Sequence, residues 1–210
     1  MQKIVIFDMD GTLLDSQKDI TVSINYIRKL HYNLQPLSEE FVVEAINKDV
    51  RNLAKLFYGT EKYEESDRVV FEEHYAAQCV QNPYLYDGVG ELLESLYAKG
   101  MKLGVATNAP TQFALRMLQH LGVDCLFGLI VGADQVSMSK PDPQMLYKIL
   151  DHFNYNPSTD KAWMVGDNSK DMLSASNANI DAVFATWGFS PRSEHHTTIH
   201  SPKELLEIVI

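Results

Sequence analysis

Residues 3–16 read KIVIFDMDGTLLDS, and this stretch decides the fold. The run KIVIF has the composition of a fully buried strand, and it ends in an acidic turn that contains glycine. Asp8 and Asp10 are two residues apart, so strand periodicity places both carboxylates on one side, while Gly11 permits a sharp turn just beyond. The stretch therefore predicts a buried strand that carries paired acids to the edge of a sheet.

The same short apolar pattern recurs along the chain, with helical periodicity between most of its copies. Two of the predicted helices end at Gly100 and Gly122, where glycine favours a left-handed stop. Strands that alternate with helices predict an α/β fold with a doubly wound parallel sheet. The further predicted strands are 102–106, 129–131, 162–165 and 182–185.

The region from about residue 17 to residue 81 breaks this alternation and shows only helical periodicity. It is several times longer than a crossover between two parallel strands requires. We therefore predict a helical domain (15–83) inserted into a core domain formed by residues 1–14 and 84–210. Its apolar stripes are Ile20, Ile24 and Ile27; Phe41, Ala45 and Ile46; Leu53, Leu56 and Phe57; and Val70, His74, Ala77 and Val80, the last along the longest predicted helix.

Polar side chains follow three further strands at the points where those strands end. Thr107 and Asn108 can donate to phosphate oxygens. Lys140 lies in the stretch SKPDP, and if this loop is rigid the lysine can neutralise a phosphate and an attacking carboxylate. Asp167 ends a buried strand, and Asp171 follows one helical turn later. Because open α/β sheets bind ligands at the carboxyl ends of their strands, these groups should converge on the paired acids, where a divalent cation can also bind.

Each of these segments also has a structural interpretation. Paired acids in a turn can simply be solvated, and a Thr-Asn pair before Pro110 is typical of a helix N-cap. Lys140 can be an exposed loop charge. Asp167 can be an N-cap and Asp171 a first-turn acid favoured by the helix dipole, which is compatible with metal binding. Their common order and placement favour phosphoryl transfer to a carboxylate.

With FDMDGTLLDS, YDGV at 86–89, VATN, SKPDP, VGDNSKD and Trp187-Gly188 in this order, the chain resembles the haloacid dehalogenase superfamily and, within it, the phosphoglycolate phosphatases. The resemblance implies Asp8 as the nucleophile and Asp10 as the general acid/base. It implies Thr107 and Lys140 as phosphate ligands.

The resemblance also implies a magnesium ion held by Asp8, the backbone carbonyl of Asp10, and Asp167. Asp171 would lie close to the ion or contact its ligands. The helical insertion matches the α-helical cap of subclass I members, so the implied fold is a haloacid dehalogenase-like core with an inserted helical cap.

Two positions depart from the pattern of the superfamily. Many relatives have Lys where this chain has Ala109, and many have Gly where it has Asn47. Asn47, Lys48 and Arg51 lie in the cap loop that is thought to touch the leaving group of the substrate. Two cations there would suit an anionic leaving group such as that of 2-phosphoglycolate, although they can also be solvated helix charges.

Trp187, Gly188 and Phe189 form a separate aromatic motif near the end of the last strand. They can be a substrate-facing patch, but packing of the last loop is the favoured interpretation.

An acid at Asp10 favours hydrolysis of phosphate esters, because it can protonate a leaving alcohol and then activate water. The chain is therefore predicted to be a Mg²⁺-dependent phosphatase of small-molecule monoesters. A sugar phosphate or a nucleotide is an alternative substrate. A receiver-type signalling domain, which accepts phosphate on an aspartate, is disfavoured because such domains are much shorter and carry that aspartate after the third strand.

The net charge of −10 argues against nucleic acid or an anionic membrane as a partner. No apolar run reaches the length of a signal peptide or a membrane span. These features predict a cytoplasmic protein whose partner is a small phosphate ester, and they leave monomer and homodimer open.

Overall fold

The computed structural model describes residues 1–48, 52–190 and 197–210. The strands in chain order are β1 (Lys3–Phe7), β2 (Leu14–Asp15), β3 (Tyr84–Leu85), β4 (Lys102–Ala106), β5 (Leu129–Val131), β6 (Lys161–Gly166), β7 (Asp181–Ala185) and β8 (Thr198–Ile199). The helices are α1 (Gln17–Tyr32), α2 (Glu39–Asn47), α3 (Leu53–Tyr58), α4 (Glu65–Gln78), α5 (Val89–Ala98), α6 (Thr111–His120), α7 (Gln144–His152), α8 (Ser169–Ala178) and α9 (Glu204–Val209). By contact, the chain divides into two compact units, Met1–Asp15 with Tyr84–Ile210, and Ser16–Pro83.

The main sheet is parallel, with the strand order β5–β4–β1–β6–β7–β8. Phe7 of β1 lies beside Val105 of β4 and Val165 of β6, so the carboxyl ends of these three strands are close to level. Every residue from Ile4 to Phe7 is buried, as expected for a strand whose sheet is covered on both faces. The predicted parallel α/β sheet is confirmed, and β1 lies at its centre.

Four of the helices, α5 to α8, pack on this sheet, and the first two end where the sequence indicates. α5 contacts β4, α6 contacts β5, α7 contacts β4 and β5, and α8 contacts β6 and β7. Gly100 and Gly122, just after α5 and α6, have φ of 74° and 73°, which confirms the predicted left-handed stops. The two-residue strands β2, β3 and β8 were not predicted, because elements this short have no detectable periodicity.

The helical unit Ser16–Pro83 has its own core, in which α1 packs against α4, α2 and α3. Its buried apolar residues include Ile24, Ile27, Val42, Ala45, Phe57 and Tyr58. Within the described residues between β2 and β3 there is no strand, as predicted.

Two details of the helical prediction are wrong. Phe41 is 39% exposed and Val42 takes the inward position of α2. The longest helix is α1 with 16 residues, whereas α4 has 14 and ends before Val80. The buried residues of α4 are Asp67 and Tyr75, because Asp67 has hydrogen-bond partners on α1 that a search for apolar periodicity does not register.

Among the described residues, no helix combines the length and the apolar composition that crossing a membrane requires.

Candidate active site

Asp8 lies directly beyond the carboxyl end of β1. Its backbone N–H donates to the Val165 carbonyl at 2.9 Å, so the parallel ladder continues into this residue. The chain then turns through Gly11, whose φ of 87° is in the left-handed region that favours glycine. A Cβ on Gly11 would lie 2.4 Å from Asp167 Oδ2, so only glycine fits between the turn and that carboxylate. Asp10 is half-buried and forms a backbone bridge with Leu14.

Lys140 is the cation of the site. Its Nζ lies 2.6 Å from Asp8 Oδ1 and 2.6 Å from Asp171 Oδ1, and its side chain is 2% exposed. The exposed-loop interpretation of Lys140 is therefore wrong. Asn108 holds this residue in place, because its Nδ2 donates to the Lys140 carbonyl at 3.2 Å and its Oδ1 accepts from the Lys140 N–H at 3.1 Å.

Thr107 follows β4 and is buried. Its N–H donates to the Val131 carbonyl at 3.0 Å, which fixes its backbone at the strand end. Its hydroxyl oxygen accepts from the Ala109 N–H at 3.1 Å, so the hydroxyl proton can point elsewhere. The N-cap of the following helix α6 is Pro110, so the N-cap interpretation of the Thr-Asn pair is wrong.

Asp167 and Asp171 lie between β6 and the first turn of α8. The N-cap of α8 is Asn168, not Asp167 as the structural interpretation predicted. Asp171 completes a capping box by accepting from the Asn168 N–H at 3.1 Å. A Cβ on Gly166 would lie 2.4 Å from the Asp171 carboxyl carbon, so glycine at the end of β6 allows this carboxylate its close approach.

Asp8, Asp167 and Asp171 form an acid cluster, in which one carboxylate oxygen from each lies within 4.8 Å of the others. All three are buried. Burial raises the pKa of Asp167, and repulsion from Asp8 and Asp171 raises it further. Burial and repulsion from Asp8 also raise the pKa of Asp171, because together they outweigh the attraction of Lys140.

The pKa of Lys140 depends on charges of the same cluster. Burial alone lowers the pKa of Lys140, but the carboxylates of Asp171 and Asp8 outweigh this effect and leave its pKa above the usual value. One ammonium therefore contacts two of the three carboxylates of the acid cluster, which leaves an excess of negative charge when all three are ionised. Hard oxygen donors with excess negative charge fit a divalent metal ion.

Sequence reasoning identified Lys140 and the acid cluster, but it missed two groups that donate hydrogen bonds to Asp167. The Thr12 hydroxyl donates to Asp167 Oδ1 at 3.2 Å, and the Phe189 N–H donates to Asp167 Oδ2 at 2.8 Å. A backbone N–H that is distant in sequence leaves no signal in the residue types. The motif Trp187-Gly188 was the available clue.

The cap-loop residues Asn47 and Lys48 contact residues of α2. Asn47 Nδ2 donates to the Val43 carbonyl at 3.0 Å in the last turn of α2. Lys48 Nζ lies 3.1 Å from Glu44 Oε1, and both side chains are exposed. Arg51 lies outside the described residues.

A central parallel sheet with a buried lysine and an acid cluster at its strand ends defines a class of α/β enzymes whose functional groups all follow strands. Within that class, the chain belongs to the haloacid dehalogenase-like hydrolase family, whose model matches residues 5–185.

Known relatives cover nearly the whole chain. A phosphoglycolate phosphatase from Colwellia psychrerythraea is 32% identical, over 90% of this chain and 86% of the relative. An N-acetylmuramic acid 6-phosphate phosphatase from Pseudomonas aeruginosa is 29% identical, over 99% of this chain and 94% of the relative. The crystal structure of a predicted phosphoglycolate phosphatase from Haemophilus somnus has a TM-score of 0.84 and 28% identity, and covers 99% of this chain and 97% of that one. The chain is a phosphatase of this family.

Proposed function

We propose that this protein is a magnesium-dependent phosphatase that hydrolyses a small-molecule phosphate monoester through an aspartyl-phosphate intermediate on Asp8. The observation that carries the proposal is the 2.6 Å contact between Lys140 Nζ and Asp8 Oδ1 inside a buried site. The buried ammonium offers positive charge to an incoming phosphate and shields the Asp8 carboxylate from it during the attack.

In the first half-reaction, a carboxylate oxygen of Asp8 attacks phosphorus, and the bond from phosphorus to the ester oxygen breaks. Protonated Asp10 donates its proton to that oxygen, so the product leaves as a neutral alcohol and not as an alkoxide. Asp8 now carries the phosphoryl group, and Asp10 is a carboxylate.

In the second half-reaction, Asp10 takes a proton from a water molecule, and the water oxygen attacks phosphorus. The bond between phosphorus and Asp8 breaks, inorganic phosphate is released, and Asp8 returns to its carboxylate form. Asp10 ends protonated and ready for another turnover. Both steps use the same two acids, which explains why the motif needs a pair.

The side chains of Asp8 and Asp167 and the backbone carbonyl of Asp10 would hold Mg²⁺, and the ion supplies positive charge that offsets the charge of the phosphate. Asp171 contacts Lys140 at 2.6 Å, so its main proposed role is to orient that lysine. Asp171→Ala should then raise the Mg²⁺ concentration needed for half-activation less than Asp167→Ala does. Equal effects would make Asp171 a direct ligand.

Thr107, Asn108 and Lys140 are the proposed phosphate ligands. A side-chain amide has two N–H groups, so Asn108 can hold the Lys140 carbonyl with one and donate to phosphate with the other. The hydroxyl of Thr107 and the ammonium of Lys140 would supply the remaining donors.

For the substrate we propose a small phospho-acid such as 2-phosphoglycolate. The relatives named above are called phosphatases of phosphoglycolate and of N-acetylmuramic acid 6-phosphate, and both compounds are phosphate monoesters that also carry a free carboxylate. Lys48 and Arg51 supply cations that could bind such a carboxylate. A neutral sugar phosphate or a nucleotide is the alternative substrate.

A substrate panel tests both levels of the proposal. Purified protein with Mg²⁺ should release phosphate from 2-phosphoglycolate with a higher kcat/KM than from p-nitrophenyl phosphate, sugar phosphates or nucleotides. Arg51→Ala, alone and combined with Lys48→Ala, should lower kcat/KM for the phospho-acid but barely change it for p-nitrophenyl phosphate. Lys62→Ala, at an exposed lysine in the same unit, is the control. A preference for neutral sugar phosphates would rule out a phospho-acid as the substrate, while the proposed phosphatase activity would still hold.

A further inference from the structure

We propose that Trp187, Gly188 and Phe189 form a positioning clamp that orients the Asp167 carboxylate for metal binding. The clamp is the segment that follows β7, and it acts together with Thr12 in the turn after β1. This inference rests on the proposed role of Asp167 as a metal ligand. It replaces the interpretation of the aromatic motif as simple packing of the last loop.

The clamp contacts the turn after β1 through the indole of Trp187. Nε1 of Trp187 donates to the backbone carbonyl of Thr12 at 3.0 Å. The side chain of Thr12 then donates from Oγ1 to Asp167 Oδ1 at 3.2 Å. The indole therefore fixes the backbone of the residue whose hydroxyl holds one oxygen of Asp167.

The other oxygen of Asp167 is held by the clamp itself. The N–H of Phe189 donates to Asp167 Oδ2 at 2.8 Å. With Thr12 on Oδ1 and Phe189 on Oδ2, both oxygens of the carboxylate have a donor, so the plane of the carboxylate is defined before any ion binds. Each oxygen has a further lone pair, which leaves it able to coordinate a cation.

Two glycines allow these contacts by letting backbone approach the carboxylate from different segments. A Cβ on Gly188 would lie 2.0 Å from the backbone oxygen of Gly11 and 2.6 Å from Asp167 Oδ2. A Cβ on Gly11 would lie 2.4 Å from the same Asp167 oxygen. A rotamer change alone cannot relieve the Gly188 clash, because it also involves backbone, and a Cβ on Gly11 would force the buried Asp167 carboxylate to move.

Groups that orient metal ligands tune the metal site, and their loss typically weakens metal affinity or activity by about 10–100-fold. Packing alone predicts a different outcome, because a role in stability does not change the affinity of the folded protein for an ion. Metal affinity measured without substrate therefore separates the two interpretations.

The experiment titrates Mn²⁺, a spectroscopically visible substitute for Mg²⁺, into the full-length protein and measures free Mn²⁺ by electron paramagnetic resonance. Thr12→Val, which removes the hydroxyl and keeps the shape, should weaken Mn²⁺ binding by about 10-fold or more. Thr12→Ser, which keeps the hydroxyl, should retain most of the affinity. Trp187→Phe should weaken binding in the same direction. The matched control is Trp163→Phe, at the buried tryptophan of β6, which should bind Mn²⁺ like the wild type.

The variants Thr12→Val and Trp187→Phe act through one chain of contacts, so the double variant should lose clearly less affinity than the product of the two single losses. Gly188→Ala should weaken binding most, and its far-ultraviolet circular dichroism shows whether it folds. If it does not fold, the Thr12 and Trp187 variants still decide the matter.

The outcomes separate this inference from the proposed function. If the wild type binds no divalent ion, the proposed metal dependence fails. If the wild type binds Mn²⁺ and the folded Trp187→Phe and Thr12→Val variants bind it equally well, the clamp is overturned and the metal site stands. Equal losses in Thr12→Ser and Thr12→Val would also overturn it, because the hydroxyl would then not be the active group.

Discussion

In the helical unit, buried carboxylates are surrounded by donors. Asp19 accepts from Gln78 Nε2 at 2.8 Å, and from the backbone and side-chain nitrogens of Asn82 at 2.9 and 2.7 Å. Asp67 accepts from the hydroxyl of Tyr32 and lies 2.6 Å from Nδ1 of His31. The hydrogen bond to Asp67 raises the pKa of Tyr32 to about 12.

The acid cluster of the core unit is arranged differently. Asp8, Asp167 and Asp171 face one another, and the ammonium of Lys140 contacts two of them, Asp8 and Asp171. A buried acid with a full set of donors contributes to stability, and removing its partners is costly. Buried acids that repel one another cost stability unless a ligand balances them, which makes them candidates for function. The comparison separates the two sets of buried acids by their proximity to one another, because carboxylate oxygens of the cluster acids lie within 4.8 Å of each other whereas hydrogen-bonding groups surround Asp19 and Asp67.

Asp8→Asn should produce the largest loss and tests the core side of this comparison. The neutral amide cannot attack phosphorus, so kcat should fall by at least about a thousandfold while the circular dichroism spectrum is unchanged. Phosphate release from p-nitrophenyl phosphate measures the loss, and a phosphate-mimicking fluoride complex should bind at Asp8 and not at Asp10. A variant that kept a tenth of the wild-type rate would rule out the covalent mechanism.

Removal of metal tests whether a cation balances the acid cluster. EDTA should abolish activity and added Mg²⁺ should restore it, because the excess negative charge repels phosphate when no ion is bound. Mg²⁺ at about 100 times its Kd should also stabilise the fold by about 2.7 kcal/mol, measured as the Mg²⁺-dependent shift in denaturant unfolding. Full activity in EDTA would show that no divalent ion is needed.

Lys140→Ala should have the next largest effect, because it removes the only cation that contacts the acid cluster in the described part of the chain. We expect kcat/KM to fall by about 10²–10³-fold. This corresponds to a loss of about 2.7–4 kcal/mol of transition-state stabilisation, the range seen for single electrostatic stabilisers. Lys55→Ala is the control, since that lysine forms an exposed pair with Glu61. A loss below about tenfold would mean that Lys140 is dispensable for the chemistry.

Asp19→Asn should have the smallest effect on activity and tests the helical side of the comparison. The amide cannot accept all three hydrogen bonds, so the free energy of unfolding should fall by about 1–3 kcal/mol in urea denaturation. The kcat/KM of the folded variant should stay close to the wild-type value. An unchanged stability together with a large loss of activity would move Asp19 from the structural to the functional group.

Much of the core could be predicted because its signals are local. The five longer strands of the main sheet are short apolar runs, and the stops at Gly100 and Gly122 depend on single residues. The acids and Lys140 follow strands, and parallel strands bring their carboxyl ends to one edge, so the order of the motifs was enough to predict that they meet. In the helical unit the apolar stripes were predicted with less accuracy, because α4 buries Asp67, which periodicity counts as polar.

The sequence by itself determined the class of the fold, the identity of the charged groups and their convergence, since strand periodicity and strand-end placement are properties of neighbouring residues. Only the tertiary structure decided how those groups are held. Asn108 fixes the Lys140 backbone, Asn168 and not Asp167 caps α8, and the Phe189 N–H reaches Asp167 across 22 residues of chain. Each of these contacts has a backbone group as one partner, and two of them join segments distant in sequence, so residue types alone cannot reveal them.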